Sequence, residues 1–155
     1  MTEPYAESVI YVFVKGNNIL TEKRYIHDSF VNCLPGGGIE ETDRRCEDYA
    51  SAALQREVKE ELLVDVITYK HILNFTIAEV KNRFYVFIVT EWNGIIPEYT
   101  VEPPGSGQRH ADLKWVSIHD YLPTIKHPQF REVCQAITEY LAEQSRGNFP
   151  LCQSG

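Results

Sequence analysis

The sequence has no Cys-x-x-Cys pair: its four cysteines, Cys33, Cys46, Cys134 and Cys152, stand far apart. Such spacing argues against zinc ribbons and redox dithiols, and free thiols in a reducing cytoplasm are the expectation. Basic residues are not in excess; the formal net charge is −7. A general nucleic-acid or anionic-membrane binder needs a basic footprint, so both classes are set aside. The opening residues MTEPYAES carry no basic n-region and no apolar h-region, so no signal peptide is expected. No apolar run approaches the length that spans a bilayer. Internal repeats and low-complexity tracts are missing as well. What remains is an ordinary soluble composition, 155 residues with 43% hydrophobic and 24% charged. One domain with one sizeable core is the simplest reading, over residues 1–146, followed by a loose tail over 147–155.

Periodicity places the elements. Residues 8–15, SVIYVFVK, are an apolar, β-branched run that reads as a buried strand. Gly16-Asn17-Asn18 marks a turn, and residues 19–25 return as a second strand with Lys23 and Arg24 near its end. Residues 26–30 connect to Leu34-Pro35 and the cluster Gly36-Gly37-Gly38, which reads as a turn or as backbone free to approach a ligand. A helix is expected from about residue 47 or 49 to residue 63. Strands follow over 64–69, 72–80 and 83–92, the first two separated by a break. Residues 95–108, rich in Pro and Gly, form a long loop holding Glu98 and Glu102. A last strand over 110–117 carries Trp115, and residues 129–144 form an amphipathic helix with Phe130, Val133, Cys134, Ile137 and Leu141 inward.

The expected helix ends in Arg56-Glu57-Val58-Lys59-Glu60-Glu61. Glu57, Glu60 and Glu61 stand at i, i+3 and i+4, so three carboxylates share one face. Their mutual repulsion costs a few tenths of a kcal/mol per pair. A hard divalent cation removes it, because Mg²⁺ and Mn²⁺ prefer carboxylates together with substrate phosphates. The bland alternative is a solvated acidic face balanced by Arg56 and Lys59. The glycine cluster upstream of the carboxylates favours the functional reading.

Residues 35–64 together resemble the Nudix box: a glycine, five residues, a glutamate, seven residues, Arg-Glu, an apolar residue, any residue, Glu-Glu, any residue, a glycine and an apolar residue. Gly37, Arg56, Glu57, Val58, Glu60, Glu61 and Val64 match. Three positions depart. Asp43 replaces the first glutamate. The spacer between Asp43 and Arg56 is five residues longer than the family's seven, as an added helical turn or an irregular loop. Leu63 replaces the last glycine, so the helix exit is expected to be built differently.

The resemblance implies the Nudix fold, a mixed β-sheet sandwiched between helices in an α/β/α arrangement. It implies a hydrolase acting on a nucleoside diphosphate linked to another moiety, with Mg²⁺ or Mn²⁺ as cofactor. By resemblance Glu57, Glu60 and Glu61 hold the metal with a backbone carbonyl of Gly37 or Gly38. Glu57 is a candidate base, and Glu60 and Arg56 belong to the same machinery. Arg56 points away from the metal face and fixes the loop to the helix. Arg24 and Glu40 are candidates for substrate contact, and Glu98 or Glu102 for a further carboxylate. The alanines beside the carboxylates, Ala50 and Ala53, leave room for a phosphate chain. The expected partner is a small phosphorylated nucleotide-type molecule, with a homodimer left open. The rivals are a Nudix-fold nucleotide sensor without catalysis, which the long spacer favours, and an interaction module.

Overall fold

The computed structural model of the chain describes residues 4–26, 29–98 and 112–151. Strand β1 (Ala6–Lys15) organises it. Val9, Tyr11 and Phe13 face one way, Ile10, Val12 and Val14 the other, and all six are buried. A strand that is apolar on both faces needs cover on both. Helix α1 (Tyr49–Leu62) covers the first face with Ala50, Ala53, Leu54, Val58 and Leu62. A short helix α2 (Ile118–Tyr121) and the long helix α3 (Pro128–Leu151) cover the second with Ile118, Tyr121, Val133, Cys134 and Ile137. Each fully buried Val, Leu or Ile in these layers contributes roughly 1.5–3 kcal/mol of transfer free energy. The result is the expected α/β/α sandwich.

The other strands are β2 (Asn18–Ile26), β3 (Ser29–Cys33), β4 (Gly36–Gly38), β5 (Asp65–Ile77), β6 (Asn82–Asn93) and β7 (Asp112–Ser117). They run in the order β3-β2-β1-β6-β5, with β4 added to β1 and β7 to β2. β1 and β6 are parallel, from Ala6 opposite Asn82 to Phe13 opposite Val89. All other pairs are antiparallel. The β1–β2 hairpin turns at Gly16, whose φ of 63° suits a residue without a Cβ. Phe87 lies in the core, Phe84 packs on Phe75 and Phe130, and Trp92 stacks on Trp115.

Several elements differ from the sequence expectation. The two strands expected over 64–80 are one strand, β5, whose register shifts near Thr68 and between His71 and Leu73 disturb the alternation that would have revealed it. The connecting residues before the glycines form β3. The glycines are not a turn: they pair with β1, Gly37 opposite Val9, and none has positive φ. Leu63 does leave the helix in the left-handed conformation (φ 61°, ψ 26°), as a glycine would. Ala50 and Ala53 face the sheet rather than the carboxylates' surroundings, and are core. Helix α3 passes the expected end at residue 144 and continues to Leu151, through the start of the segment read as a tail. Among the described residues no helix is long and apolar enough to cross a membrane.

Candidate active site

The site begins with how α1 is started and stopped. Asp48 caps its N-terminus, accepting from the Ser51 amide at 3.2 Å. Seven residues of helix, 49–55, then precede Arg56. The five extra residues of the spacer are therefore 44–48, a segment outside the helix that begins within a 3-10 turn over Asp43–Arg45 and ends in an irregular stretch over 46–48. The irregular-loop alternative is the one adopted, and the helix carries Arg56, Glu57, Glu60 and Glu61 in uninterrupted register.

Arg56 is the hub. Its Nε donates to Asp43 Oδ1 at 3.0 Å and its Nη2 to Asp43 Oδ2 at 2.9 Å. Nη2 also donates to the Gly38 carbonyl at 2.9 Å. Nη1 donates to Glu57 Oε1 and Glu60 Oε2, both at 3.1 Å, and lies 3.3 Å from Glu40 Oε2. The expectation that Arg56 points away from the metal face is corrected, since Nη1 reaches Glu57 and Glu60; its planar fork binds these carboxylates and the loop together, as expected of its structural role. The Arg56 hydrogen bonds hold the Asp43 carboxyl below its usual range. The Asp43 side chain also takes the Glu40 amide at 2.8 Å, so aspartate in place of glutamate still ties the loop to the helix.

Glu57 is buried, with 7% of its surface exposed. Its carboxylate lies over Gly37, where any Cβ would collide with it. This is the close approach that the glycine makes possible, though through a strand rather than a turn. Burial foremost, and then the neighbouring Glu61, push Glu57 up to about 7, against the pull of Arg56. Tyr11 donates to Glu61 Oε2 at 2.9 Å from within the core. Burial and the charges of Glu61, Glu22 and Glu57 keep that phenol protonated, so it remains a donor. Tyr11 was not recognised in the sequence; the only signal was a tyrosine at an inward position of a buried strand. Glu60 stands apart, largely exposed and joined to Arg56.

The remaining candidates divide. Gly37 faces Val9 in the ladder, and the amide bonds Tyr11→Pro35 and Ile39→Glu7 on either side make Val9–Gly37 the hydrogen-bonded pair. That commits the Gly37 carbonyl to β1, whereas the Gly38 carbonyl points off the ladder to Arg56. Glu98 accepts the Leu113 amide through its backbone and lines a cavity of about 340 Å³ with Lys23, Asn32, Asp112, Leu113 and Lys114, whose walls include no residue of α1. Arg24 is placed as a backbone position on β2, opposite Val31. Glu102 lies outside the described residues. A larger cavity, about 750 Å³, opens between β4 and the α2–α3 connection. Its walls include Asn32, Phe84, Tyr121, Lys126, His127 and Phe130.

Among the described residues no three His, Cys, Asp or Glu side chains converge as a metal cage. Mg²⁺ does not require one, since it is commonly held by one or two carboxylates plus substrate phosphates. The donors here are all hard oxygens, and Glu57 and Glu61 are pressed together so that a cation would relieve them. On that chemistry the residues fit a hard divalent ion.

Known proteins bear out the fold. A Nudix domain of Shewanella oneidensis NrtR complexed with ADP-ribose superposes with a TM-score of 0.66 at 16% identity, over 90% of each chain. MutT Nudix hydrolase from Burkholderia pseudomallei gives 0.64 at 20% identity, covering 88% of this chain and 99% of that one. An ADP compounds hydrolase gives 0.69 at 17% identity, over 93% and 77%. No curated protein sequence shows significant similarity to the chain. The sequence model of the NUDIX domain matches residues 4–137, nearly the whole described fold, and the chain belongs to the Nudix family.

Proposed function

We propose that the protein hydrolyses a phosphoanhydride bond in a nucleoside diphosphate linked to another moiety, releasing a nucleoside monophosphate and the phosphorylated remainder. Nucleoside triphosphates, ADP-ribose and nucleotide sugars are the substrate classes. The observation that carries this reading is the buried Glu57, seated on Gly37, bridged to Arg56 and with its pKa raised by burial and by the neighbouring Glu61. A carboxylate whose pKa lies at about 7 suits a general base near neutral pH. Glu57, Glu60 and Glu61 would hold Mg²⁺ or Mn²⁺, which when bound neutralises diphosphate oxygens and acidifies water. Arg56 keeps the glycine strand, Asp43 and the helix in fixed relation, so that the carboxylates are positioned before substrate arrives. Tyr11 orients Glu61 by its hydrogen bond. The cavity beside β4 is of a size that suits a nucleoside or the group linked to it, and its Lys126 can meet an anionic substrate.

The test is Glu57→Gln, which keeps the shape and removes the charge. Turnover is expected to fall by about 10²-fold or more, with Glu60→Gln and Glu61→Gln also impaired. Unchanged turnover in all three variants would remove the carboxylates from the reaction.

A second reading, a nucleotide sensor without catalysis, is favoured by one observation: Glu57, Glu60 and Glu61 are already engaged by Arg56, Tyr11 and each other. Calorimetry in EDTA discriminates. Tight nucleotide binding without metal or turnover supports the sensor; binding that needs metal supports the enzyme.

A further inference from the structure

Glu7 stands on β1 outside the box, yet it gathers groups from three other parts of the fold. Its side chain is 10% exposed. Arg44 Nη1 donates to Oε1 at 2.7 Å. The Tyr49 hydroxyl donates to Oε2 at 3.1 Å, and the Tyr85 hydroxyl donates to the same oxygen. Arg83 Nη1 stands 3.9 Å away. The two tyrosines meet edge to face with their hydroxyls 3.2 Å apart, and the Arg44 guanidinium lies 5.1 Å from the centre of the Tyr49 ring. Burial alone would raise the Glu7 carboxyl; the bonds from Tyr85, Arg44 and Tyr49 outweigh it and hold the carboxyl below its ordinary value.

The position of these partners gives the cluster its meaning. Arg44 opens the five-residue insertion, and Tyr49 is the first residue of the helix that follows it. The backbone of Glu7 also accepts the Ile39 amide at 2.9 Å, just after the glycine strand. One residue therefore holds the chain before Asp43 with its main chain and the chain after Asp43 with its side chain. An exposed pair such as Arg44–Glu7 alone would be worth little. A largely buried carboxylate with two phenols and a guanidinium is a stronger, geometrically defined anchor.

We propose that Glu7 is a positioning residue of the box: with Arg44, Tyr49 and Tyr85 it clamps the inserted segment so that Asp43 still meets Arg56, which compensates for the lengthened spacer. The kinetic consequence rests on the hydrolytic reading; the structural consequence does not.

The experiment follows the Arg56 Nε–H proton, bonded to Asp43, by NMR in the full chain carrying Glu7→Ala, Glu7→Gln, Arg44→Ala or both alanines. Its exchange with solvent is expected to accelerate about tenfold in Glu7→Ala and in Arg44→Ala, while backbone amides of β1 and β6 keep their protection. The double variant should match the single ones, because the residues act as one clamp. Glu7→Gln, which retains one acceptor oxygen for the tyrosines, should recover part of the loss. With a substrate in hand, kcat should fall about tenfold with KM nearly unchanged. Unaltered Arg56 Nε–H exchange in Glu7→Ala, or independent, multiplying effects in the double variant, overturns the proposal. Where Glu7→Ala does not fold, Tyr85→Phe replaces it, with a smaller acceleration expected and none overturning. If exchange shifts as expected but the wild type turns over no substrate, the hydrolytic reading fails and the clamp stands.

Discussion

Leu63 occupies the left-handed region with 53% of its surface exposed. An L-residue there carries a steric penalty of roughly 1–2 kcal/mol, which glycine avoids at some entropic cost. Leu63→Gly is therefore expected to stabilise the protein by about 1 kcal/mol, read as a higher midpoint in urea; a lower midpoint would mean that Leu63 makes packing contacts worth more than its strain. The neighbouring glycines make a contrast. A Cβ on Gly36 would meet the Val9 carbonyl, which is backbone and cannot yield, whereas one on Gly37 would first meet the end of the Glu57 side chain. Gly36→Ala should cost stability, by about 2 kcal/mol or more. Gly37→Ala should leave stability nearly intact and displace Glu57, cutting activity. Equal loss of melting temperature in both would contradict the seat assigned to Glu57. These details were not legible in the sequence, because a residue's φ and the atoms opposite its missing Cβ are set by neighbours distant in the chain.

At the scale of the element, α1 carries its acidic cluster toward its carbonyl end, where the helix dipole disfavours negative charge by about 0.3–1 kcal/mol per group. That local conflict is what the sequence could show: the spacing of Glu57, Glu60 and Glu61 announced a face built for something other than stability. What it could not show was which carboxylate is buried. The pair Glu57–Glu61 gives that question a pH signature. The folded protein keeps the Glu57 proton up to about 7, while the unfolded chain releases it near 4.5. The folded state thus binds the proton more tightly. The resulting stabilisation is complete below the lower value and is lost as pH rises through the higher one. In EDTA, the melting temperature of the wild type should fall more between about pH 5 and about pH 8 than that of Glu57→Gln; parallel curves would place the proton elsewhere. The insertion, too, was legible only as a count. Its resolution into residues 44–48, with the helix left whole, depends on Asp48 as cap and on Glu7, 37 residues before Arg44, as anchor.

For the whole molecule, the sandwich was readable from β1, because its unbroken apolar run over residues 9–14 demands two covering layers, and α1 and α3 show the matching stripes. β3, β4 and the unity of β5 were not: three glycines have no side-chain pattern, and register shifts erase a period of two. The large cavity escaped for the same reason, being assembled from β1, β3, β4, β6 and the α2–α3 connection, segments no local window unites. The fold thereby brings a neighbouring carboxylate pair and an arginine hub to one side of a short glycine strand and a cavity to the other. The most direct test of hydrolysis at this site is to incubate the pure, folded protein with nucleoside triphosphates, ADP-ribose and nucleotide sugars, in Mg²⁺, in Mn²⁺ and in EDTA, and to measure nucleoside monophosphate released. The account predicts release from at least one substrate class that requires the metal and stops in EDTA. Release indifferent to EDTA, or none from any substrate, would contradict it.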